Sequence, residues 1–286
     1  MSLNLQALRA FVAVVDARGF SRAAAVLRLS QPAISKSVAA LERDVGMPLL
    51  ERRADGVRMT GAGQVLFDRA TELFAVERAA EEELRAYLGL ERGILRIGAS
   101  TTIATYLLPA ELAQFHATYP GITLRVASAN TRAVARMLLQ RRIDVALVEG
   151  PVAHARIEVI PWRVDALVVI APANHALVKA RSVSADLVAA EPFIVREPGS
   201  GTRVEGDKAL AERGILPQIA LTLGSTEAIK QAVMAGLGLA VVSQSAVTEH
   251  LAAGTLNVVD VRNWNVRRDL TLLRLRGRAP SAAAKR

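Results

Sequence analysis

Apolar positions recur every three to four residues from the start of the chain. Leu5, Leu8, Phe11, Val12 and Val15 trace one face of a helix over 3–19, and Gly19 stands where a C-terminal glycine ends such a helix. Ser21 is placed to cap a second short helix, Arg22 to Leu27, with Ala23, Ala24 and Leu27 turned inward. After a turn at Arg28-Leu29, Ser30 caps a third helix that starts Gln31-Pro32, where proline is tolerated. Ile34, Val38, Leu41 and Val45 form its apolar face and Gly46 closes it. Three short helices with a tight turn between the last two predict a helix-turn-helix. The stretch Pro48–Met59, with Asp55-Gly56 at its tip, predicts a hairpin beside it, a wing.

The period then lengthens. From Thr60 to Leu88 the chain reads as one helix without proline, with Leu66, Leu73, Ala80 and Tyr87 seven residues apart. Ala70 and Leu84 stand at the companion positions, and Glu77 interrupts that second row. A helix of this length cannot bury such a stripe alone, so a partner helix from a second copy of the chain is expected. From residue 93 strands alternate with helices. Strands are predicted at Ile94–Ala99, Ile122–Ser128, Asp144–Val148, Leu167–Ala171, Phe193–Val195, Ile219–Leu223, Leu239–Val242 and Leu270–Leu275. Helices are predicted at Ile103–Thr118, Thr131–Gln140, Val204–Arg213 and Ala228–Ala235. Such alternation implies βαβ units, mostly parallel sheets, and a ligand crevice at the carboxyl ends of the strands. The fold class is therefore multidomain: an α winged helix-turn-helix, a long linker helix, and an α/β region.

Composition narrows the class of protein. With 286 residues, 51% hydrophobic, the chain can bury ample cores and is not intrinsically disordered. Zero cysteine excludes a disulfide scaffold and a thiolate metal site. No apolar run approaches the roughly 18 residues of a membrane span, and the first residues carry charge inside their apolar stretch. A soluble, cytoplasmic protein is expected, with no membrane partner, no metal and no cofactor. The formal net charge of +9 suggests nucleic acid, but its distribution tempers that inference. Residues 1–60 carry a net +4, residues 61–92 a net −3, and residues 262–286 a net +7. The basic tail 277–286 reads as frayed.

The block SRAAAVLRLSQPAISKSVAALERDVGMPLLERR, with the wing, linker helix and α/β region in this order, resembles a LysR-type transcriptional regulator. The resemblance is strongest over residues 3–60 and extends to about residue 277. It implies a winged helix-turn-helix at 1–60, a dimerising linker helix at 61–90, and an effector-binding domain at 91–286. That domain is expected to fold like a type 2 periplasmic binding protein, with lobe I at about 91–162 and 268–277 and lobe II at about 163–267. Two crossing strands near Trp162–Val164 and Asn265–Arg268 would join the lobes. The resemblance further implies a homodimer or homotetramer that binds double-stranded promoter DNA and answers to a small-molecule effector.

In a helix-turn-helix the third helix enters the major groove and its exposed N-terminal residues reach base edges. Those positions are Gln31, Pro32, Ser35, Lys36 and Ser37, with Ser30 at the cap and Ser21 and Arg22 on the preceding helix. Gln31 can pair with adenine, and Pro32 can press on a thymine methyl. Arg52, Arg53 and Arg58 on the wing suit phosphates. The sequence departs from the family pattern at Lys36, where arginine is common, and at Ala39 and Ala40, often Lys or Arg. Lysine lacks the planar fork that reads guanine, which predicts a less guanine-dependent site.

Polar groups gather at strand ends where a crevice would open. They are Ser100, Thr101 and Thr102; Asn130 and Thr131; Glu149 in Val-Glu-Gly-Pro; Gly199, Ser200 and Thr202; and Ser225. Hydroxyls and helix N-terminal N–H groups suit a compact anion. Serine and threonine before helices are most often caps alone, so convergence in both lobes carries the site, not any one residue. Glu149 reads equally as a partner for a protonated or amine-bearing ligand and as a cap. By the family resemblance, Ser100, Thr102 and Thr202 line the effector site, and the Val-Glu-Gly-Pro loop is similar to that of regulators sensing small oxyanions, sulfite among them. An enzyme is disfavoured, since His116, His154, His175 and His250 are scattered and neither HExxH nor Gly-x-Ser-x-Gly occurs. A solute-binding protein for a small anion, without a DNA role, is the alternative.

Overall fold

The computed structural model describes residues 3–53, 56–87, 93–277 and 284. The chain divides into two compact units, Met1–Leu84 and Arg85–Arg286. The first unit holds α1 (Leu5–Asp16), α2 (Phe20–Leu27), α3 (Gln31–Val45), the antiparallel strands β1 (Leu50–Arg53) and β2 (Gly56–Met59), and the start of α4 (Gly61–Tyr87). Asn4 begins α1 by accepting the N–H groups of Gln6 and Ala7. That helix ends at Asp16, short of the expected residue 19. Arg18 turns the chain through a left-handed conformation, and Gly19 becomes the first boundary residue of α2. Ser21 is therefore not a cap: it lies inside α2, exposed, and α2 has no side-chain cap. Arg28, at φ 54°, makes the tight turn toward α3.

Phe11, Ile34, Leu41 and Leu49 are fully buried at the centre of this unit. Phe67, Ala70 and Phe74 of α4 join the same core. The heptad reading of α4 thus divides. Ala70 packs inward with the two phenylalanines, whereas Val65, Leu73, Val76 and Leu84 leave about half or more of their surface open. Glu77, which broke the predicted row, forms an ion pair with Arg9 of α1. The Arg9 guanidinium also stacks over the Phe74 ring at 4.4 Å. The Tyr87 side chain, the hairpin-tip Asp55 and most of the basic tail lie outside the described residues.

The second unit begins with β3 (Gly93–Ser100), a π turn at Ile103–Leu107 and α5 (Leu108–Thr118). β4 (Ile122–Ala129), α6 (Thr131–Leu139) and β5 (Val145–Glu149) follow, and β3 lies parallel to both β4 and β5. The 16-residue β6 (Ile157–Pro172) leads to α7 (Ala176–Lys179), α8 (Ala185–Ala189), β7 (Pro192–Arg196), α9 (Gly201–Ala211) and β8 (Gln218–Leu223), with β7 and β8 parallel. The remainder is α10 (Thr226–Met234), β9 (Ala240–Ser243), α11 (Thr248–Ala252), β10 (Leu256–Val258) and β11 (Val266–Leu275).

Two lobes result, one built on β3–β5 and the other on β7–β9. They are joined by β6 and β11, which pair antiparallel from Val266↔Leu167 to Leu275↔Ile157 with an irregularity at Leu270/Thr271. β11 also borders β5, while β6 takes β9 and β10 on its far part. Among the described strands of this unit, every antiparallel pair involves β6 or β11, the strands by which the chain crosses to the second lobe and returns. The strand predicted at Leu167–Ala171 is ten residues longer toward its N-terminus and one longer at its C-terminus. Pro161, Arg163 and Asp165 hide that extension from a hydrophobic pattern. Among the described residues, no helix is long and apolar enough to cross a membrane.

Phe11 has no exposed surface, and truncating a buried phenylalanine removes its packing and leaves a cavity. Phe11→Ala should lower the unfolding free energy of the first unit by about 4 kcal/mol in chemical denaturation.

Candidate functional site

The start of α3 presents a polar face. Ser30 Oγ accepts the Ala33 N–H at 3.3 Å, so the predicted cap is formed. One turn on, Gln31 Nε2 donates to Ser35 Oγ at 3.2 Å, holding two predicted base-reading side chains together. Gln31, Pro32 and Lys36 are exposed; Ser35 and Ser37 are half-buried. On α2, Arg22 donates to the Arg18 carbonyl at 2.5 Å. Arg58 is exposed on β2, opposite Glu51 in register. Arg52 and Arg53 belong to β1, but their side chains lie outside the described residues.

Sequence reasoning missed Glu42. Its Oε1 accepts the Leu49 N–H at 2.8 Å and the Leu50 N–H at 3.1 Å, fastening the entry to the wing onto α3. A carboxylate that bonds backbone seven residues on leaves no periodic signal.

In the second unit the ends of β3 and β5 and the middle of β6 meet the start of α9 and the beginning of β11. Glu149, 1% exposed, is the centre. Ser100 Oγ donates to its Oε2, and Thr202 Oγ1 donates to its Oε1 at 3.1 Å. Thr102 and Thr202 hydroxyls stand 3.5 Å apart across the two lobes. Thr131 Oγ1 donates to the Glu149 carbonyl at 2.9 Å. Four predicted residues, Ser100, Thr102, Glu149 and Thr202, thus come together in one buried cluster, with Thr131 at its margin.

Glycine makes this approach possible. A Cβ on Gly201 would lie 1.9 Å from the Glu149 carbonyl oxygen, so no side chain fits there. Gly199 adopts φ 97° and its carbonyl accepts the Arg132 N–H at 3.2 Å. Asn130, Ser200 and Ser225 do form caps, accepting the N–H groups of Ala133, Arg203 and Ala228. Asn130 also donates to Glu197 at 3.2 Å, between the lobes. Ser225 stays outside the cluster. Thr101 Oγ1 is shielded from solvent and has no hydrogen-bond partner.

The residue that organises the cluster was not predicted. Arg268 is 3% exposed and stands directly opposite Asp165 in the β6–β11 register. Its Nε donates to Asp165 Oδ2 at 2.9 Å, and Nη2 lies 2.8 Å from the same oxygen. Its Nη1 donates to Thr202 Oγ1 at 2.8 Å and lies 3.9 Å from Glu149. Ser243 and Ser245 donate to the other Asp165 oxygen. A charged pair in mid-strand reads in sequence as a solvated face, and only the crossing of the lobes buries it.

A second tie between the lobes runs from the π turn. Tyr106 donates its hydroxyl to Glu227 of α10, whose carboxylate also pairs with Lys230 at 2.7 Å. Lys230 is 2% exposed, donates to the Ala246 carbonyl at 2.9 Å and lies 4.9 Å from the Tyr106 ring. Burial, then the bond to Glu227 and its charge, push the Tyr106 phenol above its ordinary range. Burial pushes Glu227 up, but hydrogen bonds from Lys230 and Tyr106 outweigh it and hold the carboxyl below its ordinary range. Glu197 behaves alike: burial raises it, and the Arg196 guanidinium more than offsets that.

A winged helix-turn-helix and a two-lobed α/β module with a polar cleft are the two parts of a DNA-binding, effector-responsive transcriptional regulator. Residues 5–64 match the family model for a bacterial regulatory helix-turn-helix protein, lysR family, and residues 88–286 that for the LysR substrate binding domain. The chain belongs to the LysR family of transcriptional regulators. It is 36% identical over 284 residues to the RuBisCO operon transcriptional regulator of Allochromatium vinosum, covering 99% of this chain and 94% of that protein. It is 32% identical over 266 residues to the regulator CysL of Bacillus subtilis, covering 93% of this chain and 89% of that one. The CcmR regulatory domain of Synechocystis, solved in complex with 2-PG, is 29% identical and superposes with a TM-score of 0.64 over 68% of this chain and 93% of that domain.

Because the Glu227 carboxyl titrates below its ordinary value of 4.5 in the folded protein, its stabilisation is complete above that pH. It is lost as pH falls through the folded value. The melting temperature of the second unit should therefore fall on acidification below pH about 4.5, and less steeply in Glu227→Gln.

Proposed function

We propose that this regulator is switched by a small anion that takes the place now held by the Glu149 carboxylate. One observation carries the reading: a buried carboxylate from one lobe already sits on hydroxyls of both lobes, Ser100 and Thr202, with the Arg268 guanidinium beside it. The N-termini of α9 and of the turn leading to α5 add N–H groups that favour negative charge. A free oxyanion reaching these donors must displace Glu149, because Asp165 already engages Arg268 and a third negative charge would be unbalanced. The unpartnered Thr101 hydroxyl supplies a further donor. Displacement would alter the Glu149–Thr202 tie and with it the closure of the lobes. The 2-PG in the CcmR domain is in keeping with a small-molecule site in this fold.

At the DNA, α3 reads base edges through Gln31 and Ser35 while Lys36, Arg52, Arg53 and Arg58 hold phosphates. The chain acts as an oligomer, and the open apolar face of α4 (Val65, Leu73, Val76, Leu84) is where a second copy packs. The domain boundaries we infer are 1–60, 61–90 and 91–286. The site works by binding, without catalysis, and the protein acts in the cytoplasm on promoter DNA. Family membership sets aside a solute-binding role without DNA.

Gln31→Ala should weaken operator binding by about 1–3 kcal/mol, and Lys36→Ala should flatten the salt dependence by about one unit of slope, both read by gel shift across a salt series. Unchanged binding in both variants would defeat the α3 assignment. In thermal melts with sulfite, sulfate and phosphate, at least one should stabilise the wild type. Glu149→Gln should increase that shift, and Ser100→Ala/Thr202→Ala should abolish it. A Glu149→Gln protein that no anion stabilises would sink the anion reading.

A further inference from the structure

The end of the first-lobe sheet that points away from the cleft is ringed with arginine. Ser100 and Glu149 close β3 and β5 at the cleft, whereas Arg96 and Asp144 lie at the opposite end of those strands. At about 3.3 Å per residue, about 13–16 Å separates the two ends. Arg125 stands directly opposite Arg96 in the β3–β4 register. Arg142 sits in the turn from α6 into β5, and Arg274 and Arg276 stand at the end of β11. The Arg276 N–H donates to the Arg156 carbonyl at 2.8 Å, which sets those two residues side by side.

Two carboxylates stand among these arginines. Asp144 Oδ2 accepts the Arg96 N–H at 2.9 Å and lies 3.8 Å from its guanidinium, and Glu158 accepts from Arg274 Nε at 2.7 Å. Positive charge is left in excess, carried by the exposed Arg125, Arg142, Arg156 and Arg276. Like charges on neighbouring strands, as at Arg96 and Arg125, disfavour the fold, and an anion lying across them removes that repulsion. The chain runs on from Arg276 into Arg278, Lys285 and Arg286. The strands β4, β3, β5, β11 and β6 are successive neighbours, so at about 4.8 Å per step this edge is about 19 Å wide. Over that length one DNA strand presents about five or six phosphates.

We infer that this edge of the second unit is a second DNA contact, which grips the phosphate backbone without reading bases. The planar forks of arginine match phosphate oxygens. A phosphate backbone is met at the protein surface, where counterion release supplies the affinity, so exposed arginines serve it. The winged helix supplies sequence readout, and this edge adds affinity that is independent of sequence and of the cleft.

Two measurements on the full chain with a random-sequence 60-bp duplex test this. Arg125→Ala/Arg142→Ala/Arg276→Ala should lower the slope of log affinity against log salt by about 2–3 units, at about 0.9 per lost phosphate contact. The corresponding triple lysine variant, which keeps the charge, should retain most of the slope. The second measurement uses the absence of cysteine from the chain. An iron chelate tethered at Arg142→Cys should cleave the bound duplex in the presence of peroxide and ascorbate, and one tethered at Leu187→Cys on α8 should not. An unchanged slope in a folded triple alanine variant overturns the inference; it would mean that the edge is merely solvated, or is covered by an acidic segment such as Glu81–Glu83 of a second copy. Should that variant fail to fold, the tethered chelate decides: no cleavage from position 142, or equal cleavage from 187, overturns the inference.

Discussion

A guanidinium buried between two crossing strands organises the second unit. Arg268 on β11 faces Asp165 on β6 in direct register, and from there reaches Thr202 at the start of α9. Burying a charge is costly unless it is paired and hydrogen-bonded. Here the pairing partner is the strand that runs beside it between the lobes, so the solution of the electrostatic problem also fixes the joint. Ser243 and Ser245 complete the coordination of Asp165 from the second lobe. With Arg268 occupied in this way, Glu149 meets it only at 3.9 Å and depends on hydroxyls from both sides.

That arrangement makes the Glu149 carboxylate a joint between the lobes. Ser100 and Thr102 belong to one lobe and Thr202 to the other, and the Glu149 carboxylate joins them. Gly201 allows the backbone of α9 to touch the end of β5, which any larger residue would prevent. A second tie, through Tyr106, Glu227 and Lys230, starts from a π turn that directly follows the Ser100–Thr102 segment. A π turn is a local departure from the preferred helix bond pattern and is frequent at functional positions. Both ties couple the same short segment, 100–107, to the second lobe.

The first unit is held by a different principle. Its core is a cluster of fully buried apolar residues, and polar contacts serve to set orientation. Ser30 starts α3, Glu42 fixes the wing to it, and Arg9 binds α4 through Glu77 and the Phe74 ring. α4 serves two purposes along one helix: its inner face completes this core, and its outer apolar face is left open.

Much of this was legible in the residues because it is local. Helical periodicity located α1 to α3, the Ser30 cap and Gly46 stop marked the ends of α3, and strand–helix alternation announced the α/β unit. Ser100, Thr102, Glu149 and Thr202 were legible as strand-end and helix-start positions, where the fold class places ligands. The misplacement of Ser21 as a cap came from preferring a good capping side chain over Gly19, whose backbone alone begins α2. The sequence by itself determined where the elements start, which faces are apolar, and that hydroxyls converge on a crevice, since these follow from nearest-neighbour sterics and spacing. Only the tertiary structure decided the partners of Arg268, Asp165, Glu42 and Lys230. A buried charge and a solvated charge look identical along the chain until packing removes the water around one of them.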